Sequence, residues 1–198
     1  MGWTFYNSSG EAMIIDGGVQ NPAGANFDIS SYKLVGNGGS TGIAISANGE
    51  VTMAAQPMVF AKSPAVNNVT GDSTVYTMTY TTEVYDQNAD FDGTSTFTAP
   101  VTGRYFVHAT SFITQMTAAE VTNHRITIVA SNRSIIGLSP AAIANAGGLV
   151  STETVIAATA IVDMDASDTV TIAVFIAGMS GATADINTNS FLSVALLG

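Results

Sequence analysis

The densest run of cation-type ligands is Asp86-Gln87-Asn88-Ala89-Asp90-Phe91-Asp92-Gly93. Side-chain oxygens at alternate positions (Asp86, Asn88, Asp90, Asp92) are how calcium loops present their ligands. As an EF-hand the run fails. Phe91 stands where the loop needs glycine for its sharp bend, and Phe97 where it needs a bidentate Glu. We read it as a solvated acidic surface loop, with those four residues as the candidate cation ligands. His108 and His124 are the only histidines, and neither stands in an H-x-x-x-H metal spacing. His108 alternates with Phe106 and Phe112, which predicts packing at an interface. Three copies meeting on a threefold axis would form a pH-sensitive cluster or an ion site.

Covalent chemistry finds less support. Serines are plentiful, but there is no G-x-S-x-G, and Gly178-Met179-Ser180-Gly181 departs from it. Gly36-Asn37-Gly38 lacks the third glycine of a dinucleotide loop and sits in no βαβ unit. No carboxylate pair stands out for glycoside hydrolysis. Cysteine is absent, which excludes disulfides, thiolate catalysis and Cys-based zinc sites. The expectation is a protein that is not an enzyme and carries no cofactor.

Fifteen acidic residues face five basic ones, for a net charge of -10. Such a chain repels nucleic-acid phosphates and anionic membranes. Apolar residues make up 46% of the 198-residue chain and charged ones only 10%, so a full core is within reach while the surface is short of charge. Part of that surface is therefore expected to be hidden against other chains. The start shows no basic flank and no sustained apolar run, so no signal peptide is expected. No apolar run approaches the roughly 20 residues of a membrane helix.

The elements that must hold these residues read as β throughout. Tyr76, Met78 and Tyr80 alternate with Thr77, Thr79 and Thr81, and Arg125, Thr127 and Val129 with Ile126 and Ile128. Val170 to Ile176 is nearly continuous apolar, which predicts a strand covered on both faces. Strands are expected near 57–62, 74–85, 95–98, 103–115, 123–131, 133–138, 152–163, 168–177 and 189–197, with a short helical turn over Pro140 to Ala146. Many short strands at this spacing mean a sandwich or jelly roll. Before Gln56-Pro57 the texture changes to glycine-rich, with short apolar runs. There Asn48-Gly49 signals a hairpin with a type I′ turn. We expect an assembly segment over 1–56 and a main domain over 57–198.

Phe91-Asp92 followed by Phe97-Thr98-Ala99-Pro100-Val101-Thr102-Gly103-Arg104-Tyr105-Phe106-Val107 resembles the signature of the globular head of the complement C1q family, part of the tumour-necrosis-factor-like superfamily. Ile161 to Val170 and Asn189 to Leu197 resemble, in the right order, that family's strand-turn-strand and closing strand. The resemblance implies a jelly roll of about ten strands that assembles as a tight trimer. Val107 replaces the second aromatic, Ser167 the glycine of the turn, and Ser193 or Val194 stands near the last glycine. No collagen repeat is present. If Tyr105, Val107 and Ala109 fill the sandwich, then Phe106, His108, Thr110 and Phe112 form a stripe on the outer face, and these are the expected trimer-interface residues.

GWTFYNSSGE and LVGNGGSTGIAISANGEVTMA are similar to the openings and fibre-shaft repeats of bacteriophage virion proteins. That resemblance implies a non-enzymatic structural protein on the virion surface, made in the host cytoplasm: a homotrimeric capsid decoration, head fibre or short fibre knob. Trp3, Phe5, Tyr6, Ile14 and Ile15 would anchor it to capsid or tail proteins. The alternative is the receptor-binding tip of a tail or head fibre. It would present the loops Asn67 to Asp72, Asp86 to Gly93 and Met179 to Asn189 to a host surface glycan or protein. No nucleic acid and no membrane insertion are expected.

Overall fold

The structure, a computed structural model, describes residues 42–46, 48–116, 121–138 and 153–198, together with the strand backbones Trp3–Tyr6, Ala12–Ile15 and Leu34–Val35. The expected helical turn at Pro140 to Ala146 lies outside the described residues. The chain divides into two compact units, residues 1–52 and 53–198.

In the first unit β1 (Trp3–Tyr6) pairs antiparallel with β2 (Ala12–Ile15), and a three-stranded sheet runs β3 (Leu34–Val35), β4 (Gly42–Ile45), β5 (Val51–Met53). The β4–β5 turn differs from the expected type I′. Gly49 N–H donates to Ser46 O (3.0 Å) and Ser46 N–H to Glu50 O (2.9 Å), and Gly49 takes the left-handed conformation, at φ 92°. The Ser46–Glu50 pairing makes the loop longer than the two residues of a type I′ hairpin, and a left-handed glycine at its end suits that longer form. Ile43, Ile45, Val51 and Met53 are all exposed on these two strands.

The second unit is an all-β sandwich. Its strands in chain order are β6 (Met58–Lys62), β7 (Val66–Thr70), β8 (Val75–Thr77), β9 (Thr82–Asp86), β10 (Phe97–Thr98), β11 (Gly103–Thr114), β12 (Asn123–Ala130), β13 (Arg133–Leu138), β14 (Thr154–Met164), β15 (Thr169–Ala177), β16 (Ala184–Ile186) and β17 (Phe191–Leu196). One sheet has the order β10-β15-β12-β13, with β8 also on β15. The other has the order β7-β16-β11-β17-β6-β9, with β14 on the far edge of β11. From β7 to β12 each successive strand joins the opposite sheet, which is the wrapped path of a jelly roll.

Alternation explains which residues face inward. Tyr105, Val107, Ala109 and Ile113 of β11, Leu192 and Val194 of β17, and Val59 and Ala61 of β6 are buried. They meet Ile126 and Ile128 of β12 and Val170, Ile172, Val174 and Ile176 of β15. Each fully buried Ile or Leu contributes roughly 1.5–3 kcal/mol.

Three readings change. The stretch 74–85 is not one strand: β8 lies in the five-stranded sheet and β9 in the seven-stranded one, and Met78 and Tyr80 are buried in the crossing between them. With β7 and β16 added, the described residues of this unit hold more strands than the ten expected. β15 is covered on one face only, because Thr171, Ala173 and Phe175 are half-buried rather than buried. Its outer aromatic, Phe175, is capped by the Arg125 guanidinium 4.3 Å above the ring. At Gly103 a side chain would meet Leu196 Cδ1 at 2.7 Å, so the tip of Leu196 would have to shift to admit one.

The Pro100 corner is held from both sides. Ala99 N–H donates to Asp168 O (2.8 Å) and Ser167 N–H to Ala99 O (2.7 Å), and Pro100, lacking an amide hydrogen, ends that pairing. The buried Tyr105 donates its hydroxyl back to Val101 O at 2.7 Å, tying strand to corner. Ser167 sits at φ 77° in the left-handed region.

Candidate functional site

β11 is a twelve-residue strand that alternates strictly, so every residue facing the core leaves its neighbour on the outer face of the seven-stranded sheet. Tyr105, Val107, Ala109, Ser111 and Ile113 are buried. Phe106, His108, Thr110 and Phe112 lie opposite and are half-buried in the single chain. The register places Phe106 beside Ala195 and Ile161, His108 beside Ser193 and Thr159, Thr110 beside Phe191 and Ala157, and Phe112 beside Val155.

The sequence reading missed how far this face extends. Phe106 stacks on His108 (6.4 Å between ring centres), His108 meets Phe191 (5.4 Å), Phe191 meets Phe60 (5.3 Å), and Phe60 stacks on Tyr85 (6.0 Å). These five rings cross β11, β17, β6 and β9 in one unbroken ribbon. Val155 and Ile161 of β14 continue the apolar surface on the other side, at 56% and 60% exposure. The signal was in the sequence: Phe60 and Phe191 alternate with Val59, Ala61 and Leu192, which are core residues. It needed the β9-β6-β17-β11 order to join them. Polar groups sit within and beside the ribbon. His108 Nδ1 is 2.7 Å from Thr159 Oγ1, and Arg104 stands opposite Asp163 at one end.

The acidic loop spends its oxygens on its own backbone. Asp86 accepts from the amides of Asp90 (3.1 Å) and Phe91 (3.0 Å), and Asp92 Oδ1 accepts from those of Thr94, Ser95 and Thr96 (2.8, 2.7 and 3.0 Å). The Asn88 amide donates to both oxygens of Asp90 (3.1 and 3.2 Å). Burial, and then the charge of Asp86, raise Asp90 above the usual carboxylate range against the Asn88 bond. Burial also pushes Asp92 upward, but the amides of Thr96, Ser95 and Thr94 outweigh it and hold that carboxyl low. Among the described residues, no three His, Cys, Asp or Glu side chains are grouped so as to hold a metal ion.

The three candidate host-facing loops do not share one end of the sandwich. Gln87 donates its side-chain amide to the carbonyls of Met53 (2.7 Å) and Gln56 (3.1 Å), so the loop 86–93 sits where the second unit's chain begins. The loops 67–72 and 179–189 meet each other at the far end of β11: Met179 N–H donates to Gly71 O (3.0 Å) and Asn68 N–H to Asp185 Oδ1 (2.8 Å).

His124 of β12 is buried, and its Nε2 has no hydrogen-bond partner. Burial lowers its pKa to about 4. Tyr80 is likewise buried with an unpartnered hydroxyl, and burial, then Tyr76, raise its pKa. Trp3, Phe5 and Tyr6 lie on β1 and Ile14 and Ile15 on β2, in the ladder Trp3↔Ile15 to Tyr6↔Ala12.

No protein-family model and no curated protein matches the chain. Among solved structures, the globular domain of zebrafish complement 1qA is similar over 72% of this chain and 98% of that one, with 15% identity and a TM-score of 0.49. Murine APRIL, in crystals at pH 8.5 and pH 8.0, is similar over 72% of this chain and 99% of that one, with 10% and 12% identity and TM-scores of 0.48.

Proposed function

We propose that this chain is a structural protein of a bacteriophage virion surface, a homotrimeric decoration or short fibre knob that works by burying interfaces rather than by catalysis. The observation that carries the assembly reading is the five-ring ribbon of Phe106, His108, Phe191, Phe60 and Tyr85, flanked by Val155 and Ile161. Soluble monomers seldom leave a continuous apolar patch of more than a few hundred Å² in water. Two further copies of the same face would cover it in a closed threefold ring, with the half-buried rings as the fully desolvated centre. The threefold state and the phage setting draw on the sequence resemblances. The main-domain signature implies a trimer, and the glycine-rich N-terminal segment is similar to fibre-shaft repeats.

In this reading the N-terminal segment anchors the trimer to capsid or tail proteins through Trp3, Phe5, Tyr6, Ile14 and Ile15. The exposed Ile43, Ile45, Val51 and Met53 fit a segment completed by neighbouring chains. Cross-linking mass spectrometry on intact, purified particles tests it. The chain should occur in multiples of three and link through residues 1–52 to a capsid or tail protein. Its absence from washed particles would overturn the reading.

A further inference from the structure

Beside the loops 67–72 and 179–189 lies an open cleft of about 410 Å³ lined by Asn67, Asn68, Gln115, Thr183 and Asp185. Every one of these side chains carries nitrogen or oxygen, and none is aromatic or aliphatic. Two of them, Asn68 (φ 58°) and Gln115 (φ 59°), are held in the left-handed conformation. Gln gains no local hydrogen bond there of the kind that lets Asn and Asp tolerate it, and such strain concentrates at binding sites. The β16–β7 ladder shifts register between Ala184 and Ile186, and such irregularities re-aim a side chain. The residue at the shift is Asp185, whose Oδ1 accepts the Asn68 amide hydrogen at 2.8 Å.

We infer that this cleft binds a neutral sugar through its hydroxyl groups. The lining decides the class. Amides and a threonine hydroxyl both donate and accept, and a carboxylate accepts from paired hydroxyls, so the complement is a ligand that donates and accepts all round its rim. An apolar ligand finds no apolar wall among the described lining residues. An anionic one meets Asp185 on a chain of net charge -10. A bare cation finds one carboxylate, and no metal-type grouping is present among the described residues. The position suits recognition. β11 begins at Gly103, whose neighbour Arg104 donates to Gly198 O (3.0 Å), at the end where Leu196 donates to Pro57 O (3.0 Å). The cleft's Gln115 follows the other end of that strand. The cleft thus stands about 40 Å, at roughly 3.3 Å per residue over the twelve steps from Gly103 to Gln115, from where the unit's chain enters.

The cleft lies within one protomer, so the inference stands or falls apart from the assembly reading. In a trimer, three such clefts would add avidity to a weak single site.

Saturation-transfer NMR on the full chain tests it, with the methyl glycosides of glucose, galactose, mannose and N-acetylglucosamine as probes and sialic acid as the anionic control. At least one neutral glycoside should bind with a dissociation constant on the order of 1 mM, and Asp185→Asn should weaken it about tenfold. Gln115→Gly is the variant that separates roles. It relieves the left-handed strain, so it should raise the melting temperature while weakening the sugar. The inference is overturned if no neutral glycoside gives a signal, if sialic acid binds as well as they do, or if both variants bind undiminished.

Discussion

The sandwich has two outer faces made by the same alternation, and they are built for different surroundings. On the five-stranded sheet the outward residues include Thr127, Thr171 and Thr77, with Asn123 and Ser134 exposed and two exposed β-branched residues, Val75 and Ile136, among them, so it is the rings that set the two faces apart. The aromatic there, Phe175, lies under the Arg125 guanidinium. On the seven-stranded sheet the outward residues form a ribbon of five rings with two exposed β-branched neighbours and only a few polar groups among them. The inward faces are equally apolar, so the core does not explain the contrast. A threonine-rich face suits permanent contact with water, and a ring-rich face suits contact with protein.

The sharpest way to break this comparison is to put one charge on each face. Phe106→Asp should weaken self-association by roughly 100-fold or more, since a charge at a desolvated interface centre goes unpaired. Phe175→Asp on the opposite face should leave the association state unchanged. Equal effects in sedimentation would erase the distinction between the faces.

Next comes the inner layer shared by both sheets. Leu192→Ala, beneath the ribbon, should lower unfolding stability by about 2–5 kcal/mol in denaturant titration without changing the stoichiometry of the assembled state.

His124 gives a pH dependence to the five-stranded side. Its folded pKa, about 4, lies below the usual 6.5, so the unfolded chain binds the proton more readily. The protein is then fully stable above about pH 6.5 and loses up to about 3 kcal/mol as pH falls from there through 4. His124→Leu should flatten that slope in thermal melts taken at several pH values. A slope that survives the substitution would assign it to other groups.

The smallest effect belongs to the turn at Ser167. Ser167→Gly should raise stability by about 0.5–1 kcal/mol, because glycine takes φ 77° without crowding its Cβ. A loss of stability there would show that the serine side chain contributes more than its backbone strain removes.

The sequence showed β11, β12, β15 and β17 plainly, because period-two alternation and flanking turn residues are local signals. The outward set Phe106, His108, Thr110 and Phe112 followed from the same alternation. The break between β8 and β9 was not legible: the alternation runs straight through Tyr76, Met78 and Tyr80 while the backbone changes sheets, and only tertiary pairing decides that. β7 and β16 are too short and too polar at Asn67, Asn68 and Asp185 to stand out. The cleft went unseen for the same reason, since its residues come together from three separate stretches of chain. Phe60 and Phe191 joined the outer face only once strand order made them neighbours, because contacts between residues more than a hundred positions apart leave no trace in either segment alone.

The central claim is that copies of this chain cover the ring-rich face. Sedimentation equilibrium of the purified full chain at micromolar concentration measures this directly. The expected result is a species of three times the 20.3 kDa chain mass. A stable, soluble monomer with the Phe106–Tyr85 ribbon open to water would contradict it.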